Sequence, residues 1–345
     1  MAGVPVTASL LLSTAGAYVA VRDLTGRHVG PLARAAGVEA GRPADEDAPL
    51  VPDVALVVEK GRHPFPSTGM TPVTRGVWTS EGSVVLDSVG GSGFAQTWYP
   101  SAGRLQVRTR WSPGPLEQGA AGLRSRFDAL RAQVLLHYPA LWWAASRGWA
   151  PLHVSVLELD GVVVMLAGPG GVGKSTLVAQ ALASGARATC DNVAVSDGET
   201  AAGLREPLRL AVADGGPSSG ARTTHGRREL RWDGQVPALR PDLVVVVRRG
   251  GAGPRVHETD PELAVRALVA GTYAAGELRR FWTLSAVVGL ATGTGPVHPD
   301  VAGVARRLTG RLPCLELELG TSPGASLHTL LGPHLDRARR QESTR

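Results

Sequence analysis

The run Gly168-Pro169-Gly170-Gly171-Val172-Gly173-Lys174-Ser175 has the spacing G-x-x-x-x-G-K-[ST], and each residue in it suits an anion. Gly168, Gly170, Gly171 and Gly173 free the backbone, so that N–H groups, that of Val172 included, converge on phosphate oxygens. Lys174 adds a compact charge for the β- and γ-phosphates, Ser175 offers a hydroxyl to Mg²⁺, and Thr176 leads into a helix. Of 36 basic residues only Lys60 and Lys174 are lysines; the rest are arginines. A chain that writes almost every cation as a planar guanidinium keeps an ammonium where a tight backbone nest needs one.

The flanks fit such a loop. Gly161 to Ala167 reads as a short buried strand, and Thr176 to Ser184 as a helix stopped by Gly185. Strand, loop and helix would put a phosphate at a helix N-terminus, where the dipole favours anions. A chance match among 44 glycines is the alternative, and both flanks argue against it.

Many phosphate-binding-loop proteins hold the metal with an acid at the end of an apolar strand. The strand best suited, Asp242 to Val247, runs into Arg248 and Arg249 instead. Cys190-Asp191-Asn192-Val193 supplies the acid: the helix, the turn at Gly185 and a short strand would return Asp191 to the phosphates. His153 lies on an expected strand, Leu152 to Leu157, beside the loop strand. Arg227 and Arg228 are either a phosphate clamp or a solvated pair.

His153, the glycine loop and Asp191-Asn192, in that order and spacing, resemble the catalytic core of the HPr kinase/phosphorylase family and its relatives. The resemblance covers about forty residues, His153 to Val195. It implies an α/β fold with a P-loop kinase core of the HPr kinase and phosphoenolpyruvate carboxykinase type. It also implies ATP and Mg²⁺, and a serine-type hydroxyl on a peptide or small protein as acceptor. Some relatives phosphorylate ribosomally made precursor peptides. By position, Asp191 would be the general base and His153 the active-site histidine, with Lys174 on the transferred phosphate. Ser175 and Asn192 would stand on the metal side, Asn192 where the family has a second aspartate. The glycine-rich stretch of the bifunctional enzymes is not found downstream, which speaks against phosphorylase activity.

These residues need a scaffold, and the rest of the chain is read as one. The expected organisation is a β-rich domain over residues 1–118, a connecting helix over 119–150, the P-loop kinase domain over 151–336 and a charged tail over 337–345. Val54 to Val58, Val84 to Leu86 and a hairpin from Tyr99 to Trp111 are strand-like. Leu123 to Arg147 repeats apolar residues at helical steps and closes on Trp142 and Trp143, a pair better suited to packing than to stacking a base. Leu208 to Val212 and Leu315 to Leu319, the latter with one solvated face, are late strands; Pro261 to Ala270 and Glu277 to Leu290 are helices. Glu39 to Pro52 and Gly215 to Gly226 read as loops.

The net charge of +6 is carried by scattered arginines without a basic arm, which argues against a nucleic-acid partner. Two cysteines, Cys190 and Cys314, do not require an oxidising compartment. No apolar run reaches the ~20 residues of a membrane span, and Val6 to Val21 has no basic residues before it to suggest a signal peptide. A cytoplasmic protein without a membrane partner is expected, with a homo-oligomer left open. A P-loop ATPase or GTPase switch and a regulatory nucleotide-binding module remain the alternatives to a kinase.

Overall fold

The structure is a computed structural model that describes residues 8–38, 51–101, 103–122, 124–211, 226–232, 234–251, 253–320 and 326–342. Most of the two expected loops, 39–50 and 215–225, lies outside the described residues, as do 343–345. The fold is mixed α/β with several sheets. Two compact units divide the chain, the first made of residues up to Arg147 together with Arg280–His298, the second mainly of Gly148–Ala221, Arg227–Arg279 and Pro299–Arg345. Among the described residues no helix is long and apolar enough to cross a membrane.

In the first unit, eight strands form one sheet in the order β1-β2-β3-β8-β7-β6-β5-β4. They are β1 (Ala8–Thr14), β2 (Ala17–Asp23), β3 (Val54–Glu59), β4 (Thr71–Thr74), β5 (Val77–Ser80), β6 (Ser83–Leu86), β7 (Phe94–Ser101) and β8 (Arg104–Trp111). The apolar opening segment is a hairpin, Thr14 facing Ala17 across its turn, and the hairpin expected near Tyr99 runs from Phe94 to Trp111. The helical stretch before Arg147 belongs to this unit. Its two α-helices, Arg124–Ala132 and Tyr138–Ser146, are joined by a π-helical turn at Gln133–His137, just before Pro139. A wider turn there accommodates a proline that can neither donate to the helix nor fit an unperturbed turn. Trp142 is 1% exposed and meets Trp98 edge to face at 5.8 Å, which makes it core. The helix Arg279–Thr292 joins the same unit for an apolar reason: Phe281 is fully buried, 6.1 Å from the Tyr138 ring.

In the second unit, a six-stranded sheet runs β12-β10-β11-β18-β20-β19 and a four-stranded sheet runs β17-β14-β13-β9. The ranges are β9 (Ala150–Leu152), β10 (Val154–Leu159), β11 (Val162–Ala167), β12 (Arg187–Cys190), β13 (Ala194–Ser196) and β14 (Ala201–Gly203). After them come β15 (Leu208–Ala211), β16 (Arg227–Leu230), β17 (Ala238–Leu239), β18 (Leu243–Arg249), β19 (Arg255–Glu258) and β20 (Cys314–Leu319). Strands β11, β18 and β20 are parallel neighbours, and the valines of β11 and β18 read as one apolar run because both faces are covered. Leu177, Val178 and Ala181 of the loop helix (Lys174–Ala183) pack on this sheet with Leu327, Leu331 and Leu335 of the last helix (Leu327–Glu342). That last helix takes in residues 337–342 of the expected charged tail. The helix Pro261–Ala274 also packs on β11 and β18; Asp260 caps it by accepting from the Glu262 N–H, with Pro261 in its first turn.

Two expected strands break, and both breaks fall at candidate residues. Leu152 and Val154 lie in different sheets with His153 between them, and the strand begun at Arg187 stops at Cys190 and resumes at Ala194. Glu316 in β20 is 7% exposed and lies 3.5 Å from Arg248, so the face expected to be solvated is partly closed by an ion pair.

Gly203 fixes where β12 ends: a Cβ there would collide with the Thr189 carbonyl and lie 2.8 Å from Cys190 Cβ, while its N–H donates to Thr189 Oγ1 at 2.8 Å. Gly203→Ala is expected to destabilise the protein by about 2–3 kcal/mol through this overpacking. Thermal denaturation checks it, and an unchanged Tm contradicts the close approach.

Candidate functional site

The loop starts where β11 ends. Gly168 has φ +146°, and a Cβ there would lie 2.6 Å from the Val247 carbonyl oxygen, so only glycine lets the loop leave the sheet beside β18. The helix then begins at Lys174 directly after Gly173, which puts Lys174, Ser175 and Thr176 in its first turn. The strand–loop–helix unit thus has the form that the motif requires.

Lys174 is 5% exposed and its Nζ donates to the carbonyls of Gly168 at 2.7 Å and Pro169 at 3.2 Å. Burial lowers its pKa to about 8; Asp191 opposes the shift and the nearby Arg227 adds to it. An ammonium held in place by carbonyls and short of hydration is suited to meeting a second, anionic partner.

Asp191 sits in the break after β12 and is 4% exposed. Its backbone is anchored by Ser155, whose hydroxyl donates to the Asp191 carbonyl. Burial raises the carboxyl pKa to about 6 against the pull of the Ser175 hydroxyl, Lys174 and Arg209. Its Oδ1 has no hydrogen-bond partner among the described residues. A buried carboxylate with an unpartnered oxygen is costly unless something outside the protein uses it.

His153 stands where the chain passes from one sheet to the other, and its N–H donates to Thr272 Oγ1 at 3.0 Å. Burial lowers the imidazole pKa to about 4, with Lys174 repelling the charged form, so the ring is neutral at physiological pH. The Asn192 side chain is close enough to His153 and Glu206 to act on the charge of both. The structure therefore brings Lys174, Ser175, Asp191, Asn192 and His153 together.

The sequence reading passed over the acids behind them. Glu206 is 4% exposed, and burial raises its pKa to about 6, Glu277 and Asp191 adding to the shift and Arg209 opposing it. Arg209 lies 3.1 Å from Glu206, 3.5 Å from Glu229 and 3.8 Å from Glu277. No motif marks Glu206 in Arg205-Glu206-Pro207; its one trace in sequence is an acid next to an apolar strand that carries an arginine at 209. Arg227 is close enough to Lys174 to act on its charge. Among the described residues no group of three or more His, Cys, Asp and Glu side chains could hold a metal ion. The Ser175 hydroxyl and the unpartnered, buried Asp191 oxygen are the oxygen donors at hand for a hard cation that takes its remaining ligands from phosphate and water.

Solved structures give a distant likeness. The solved Hpr(Ser) kinase/phosphatase from Coxiella burnetii is 13% identical, over 56% of this chain and 95% of that chain, with a TM-score of 0.28. No family model matches the chain, and no curated protein matches it. The reading of the site rests on this chain's own residues.

The raised Asp191 pKa has a consequence for stability. The folded state binds this proton more tightly than the unfolded chain, so ionisation costs stability as pH rises from the ordinary carboxylate range through about 6. Asp191→Asn is therefore expected to stabilise the fold by roughly 1–3 kcal/mol above pH 6, and the gain should vanish well below the ordinary aspartate pKa, near about pH 2, where the native side chain is neutral in both states. Denaturant unfolding across pH measures this, and a variant that is less stable at pH 8 contradicts it.

Proposed function

We propose that the chain is an ATP-dependent phosphotransferase that moves the γ-phosphoryl group to a serine-type hydroxyl of a peptide or small protein. The observation that carries this reading is the buried Asp191 carboxylate, with one open oxygen, beside the Ser175 hydroxyl and the Lys174 ammonium of the glycine loop. Phosphoryl transfer asks the protein for positioning and charge rather than covalent chemistry. The loop N–H groups and Lys174 hold the β- and γ-phosphates in line and offset charge on the non-bridging oxygens. Asp191 accepts the proton of the incoming hydroxyl as its oxygen bonds the γ-phosphorus. The bond from that phosphorus to the β-phosphate oxygen breaks, and ADP carries the electron pair away. Ser175 and the phosphate oxygens would hold Mg²⁺, which supplies charge neutralisation when bound. His153, neutral and near Asn192, acts as a positioning residue behind Asp191.

A carboxylate raised to about 6 in this position favours a base used near neutral pH. A hydrolase would use the same loop with water as acceptor; Asp191 desolvated to 4% exposure suits a substrate hydroxyl that closes the site over it.

Three results test this reading. Lys174→Ala should abolish transfer and weaken nucleotide binding, and Lys174→Arg should also fail, because a planar fork does not replace an ammonium inside the nest; an active arginine variant contradicts the role given to Lys174. Asp191→Asn should lower transfer to a peptide hydroxyl by roughly two to four orders of magnitude while nucleotide affinity is kept, and near wild-type transfer contradicts the base assignment. The rate should rise with pH through about 6 as Asp191 ionises and fall above about 8 as Lys174 loses its charge. A profile flat from pH 5 to 7 contradicts the ionisation assigned to Asp191.

A further inference from the structure

Side chains alternate across the eight-stranded sheet of the first unit, and its two faces differ in kind. One face is core: Leu12, Val21, Leu56 and Val107 are buried on it, and the helix Tyr138–Ser146 packs against β2, β3 and β8 there. The opposite face is open over the same three strands. On it Arg22, Val57 and Arg108 lie side by side in register, and Ala20, Ala55 and Gln106 form the next row. The segment Lys60 to Phe65 runs along one border of this area. It is held by the Phe65 ring, 4.2 Å from the Arg110 guanidinium, and by the Ser112 hydroxyl, which donates to the Arg62 carbonyl at 2.9 Å. Phe65 clusters with Val85 and Ala95, so the same face is closed over β6 and β7.

We propose that the open face binds an extended acidic peptide segment, and that this segment belongs to the acceptor of the transfer; the acceptor's identity rests on the phosphotransfer reading given above. Charge carries the argument. Arg22, Lys60, Arg62 and Arg104 are exposed, and none of them has an ion-pair partner among the described residues. The acids beside them are already in use. Glu59 is shared by Arg108 at 2.5 Å and Arg110 at 3.1 Å, and the Asp53 carboxylate accepts the Tyr18 N–H at 2.9 Å. A face that is merely solvated intersperses both signs, whereas this one keeps an excess of cations. Its floor supports the same occupant. Ala20, Ala55 and Val57 are small and half-buried, so an extended backbone can lie close to the sheet. The longer arginine and lysine side chains around that floor reach the carboxylates of such a segment. Opposite charge steers the encounter and selects acidic sequences over neutral ones.

Fluorescence anisotropy of the full chain, without nucleotide, measures binding of two labelled peptides that each carry a serine among alanines and either glutamates or glutamines. The glutamate peptide should bind, less tightly as ionic strength rises, and the glutamine peptide should bind at least about tenfold more weakly. Arg22→Glu combined with Arg104→Glu should weaken the glutamate peptide by roughly tenfold or more. Arg22→Lys combined with Arg104→Lys keeps both charges and should stay within about twofold of the native affinity, which separates charge from folding. In transfer assays the glutamate double variant should raise KM for the glutamate peptide and leave kcat and the KM for ATP unchanged. Equal binding of the two peptides, or native affinity in the glutamate double variant, overturns the inference and leaves the phosphotransfer reading standing. A single-stranded oligonucleotide bound more tightly than the glutamate peptide overturns it in favour of nucleic acid. A homo-oligomer that the glutamate double variant dissociates, with peptide binding unchanged, overturns it in favour of a second copy of the chain. Binding of the glutamate peptide with transfer to neither peptide overturns the phosphotransfer reading and the acceptor's identity with it.

Discussion

The second unit is organised around a carboxylate that the fold holds out of water without fully pairing it. Asp191 is desolvated enough to move its pKa to about 6, and one of its oxygens has no partner among the described residues. Desolvation of a charge is among the largest penalties a folded chain can carry, so its neighbours must compensate. Lys174 and the Ser175 hydroxyl do so from the glycine loop, and Arg209 does so while also serving Glu206, Glu229 and Glu277. Neutral His153 adds no competing positive charge. The arrangement keeps a proton acceptor within one step of ionisation at neutral pH, which a solvated aspartate would not be.

Backbone geometry creates that position. A continuous strand through Asp191 would alternate its side chains across the sheet and tie its N–H and carbonyl into a ladder. The chain instead stops at Cys190, turns through Asp191 and Asn192, and joins the second sheet at Ala194. The chain at His153 makes the same change of sheet. Val164, Leu166, Val245 and Val247 lie in one core cluster with the loop helix and the last helix, which holds the end of β11 in place.

The sequence carried the loop and its flanks almost intact, because phosphate binding constrains residue type at fixed spacing: the strand expected to end at Ala167 does so, and the helix expected to stop before Gly185 does so. Asp191 and His153 were legible from their order around the loop. Their surroundings were not. Glu206 and Arg209 meet Asn192 and Glu277 only through folding, and no local pattern announces a buried ion pair. Periodicity made Leu152 to Leu157 a single strand because sheet switching leaves its apolar residues in place; only pairing shows that His153 separates two sheets. Nor could spacing assign the helix Arg279–Thr292 to the first unit, since that depends on which core receives Phe281. Trp142 packs in the core as its helical spacing suggests, its ring enclosed against Trp98.

The central claim is that Asp191 is a proton acceptor poised near neutrality by burial. Carboxyl-carbon NMR of the full chain, with the Asp191 signal assigned by its loss from an asparagine variant, measures this directly. The account predicts a midpoint near 6 for that signal, well above the ordinary aspartate range. A midpoint near 4 would mean a hydrated, ordinary carboxylate and would contradict the base role on which the proposed transfer depends.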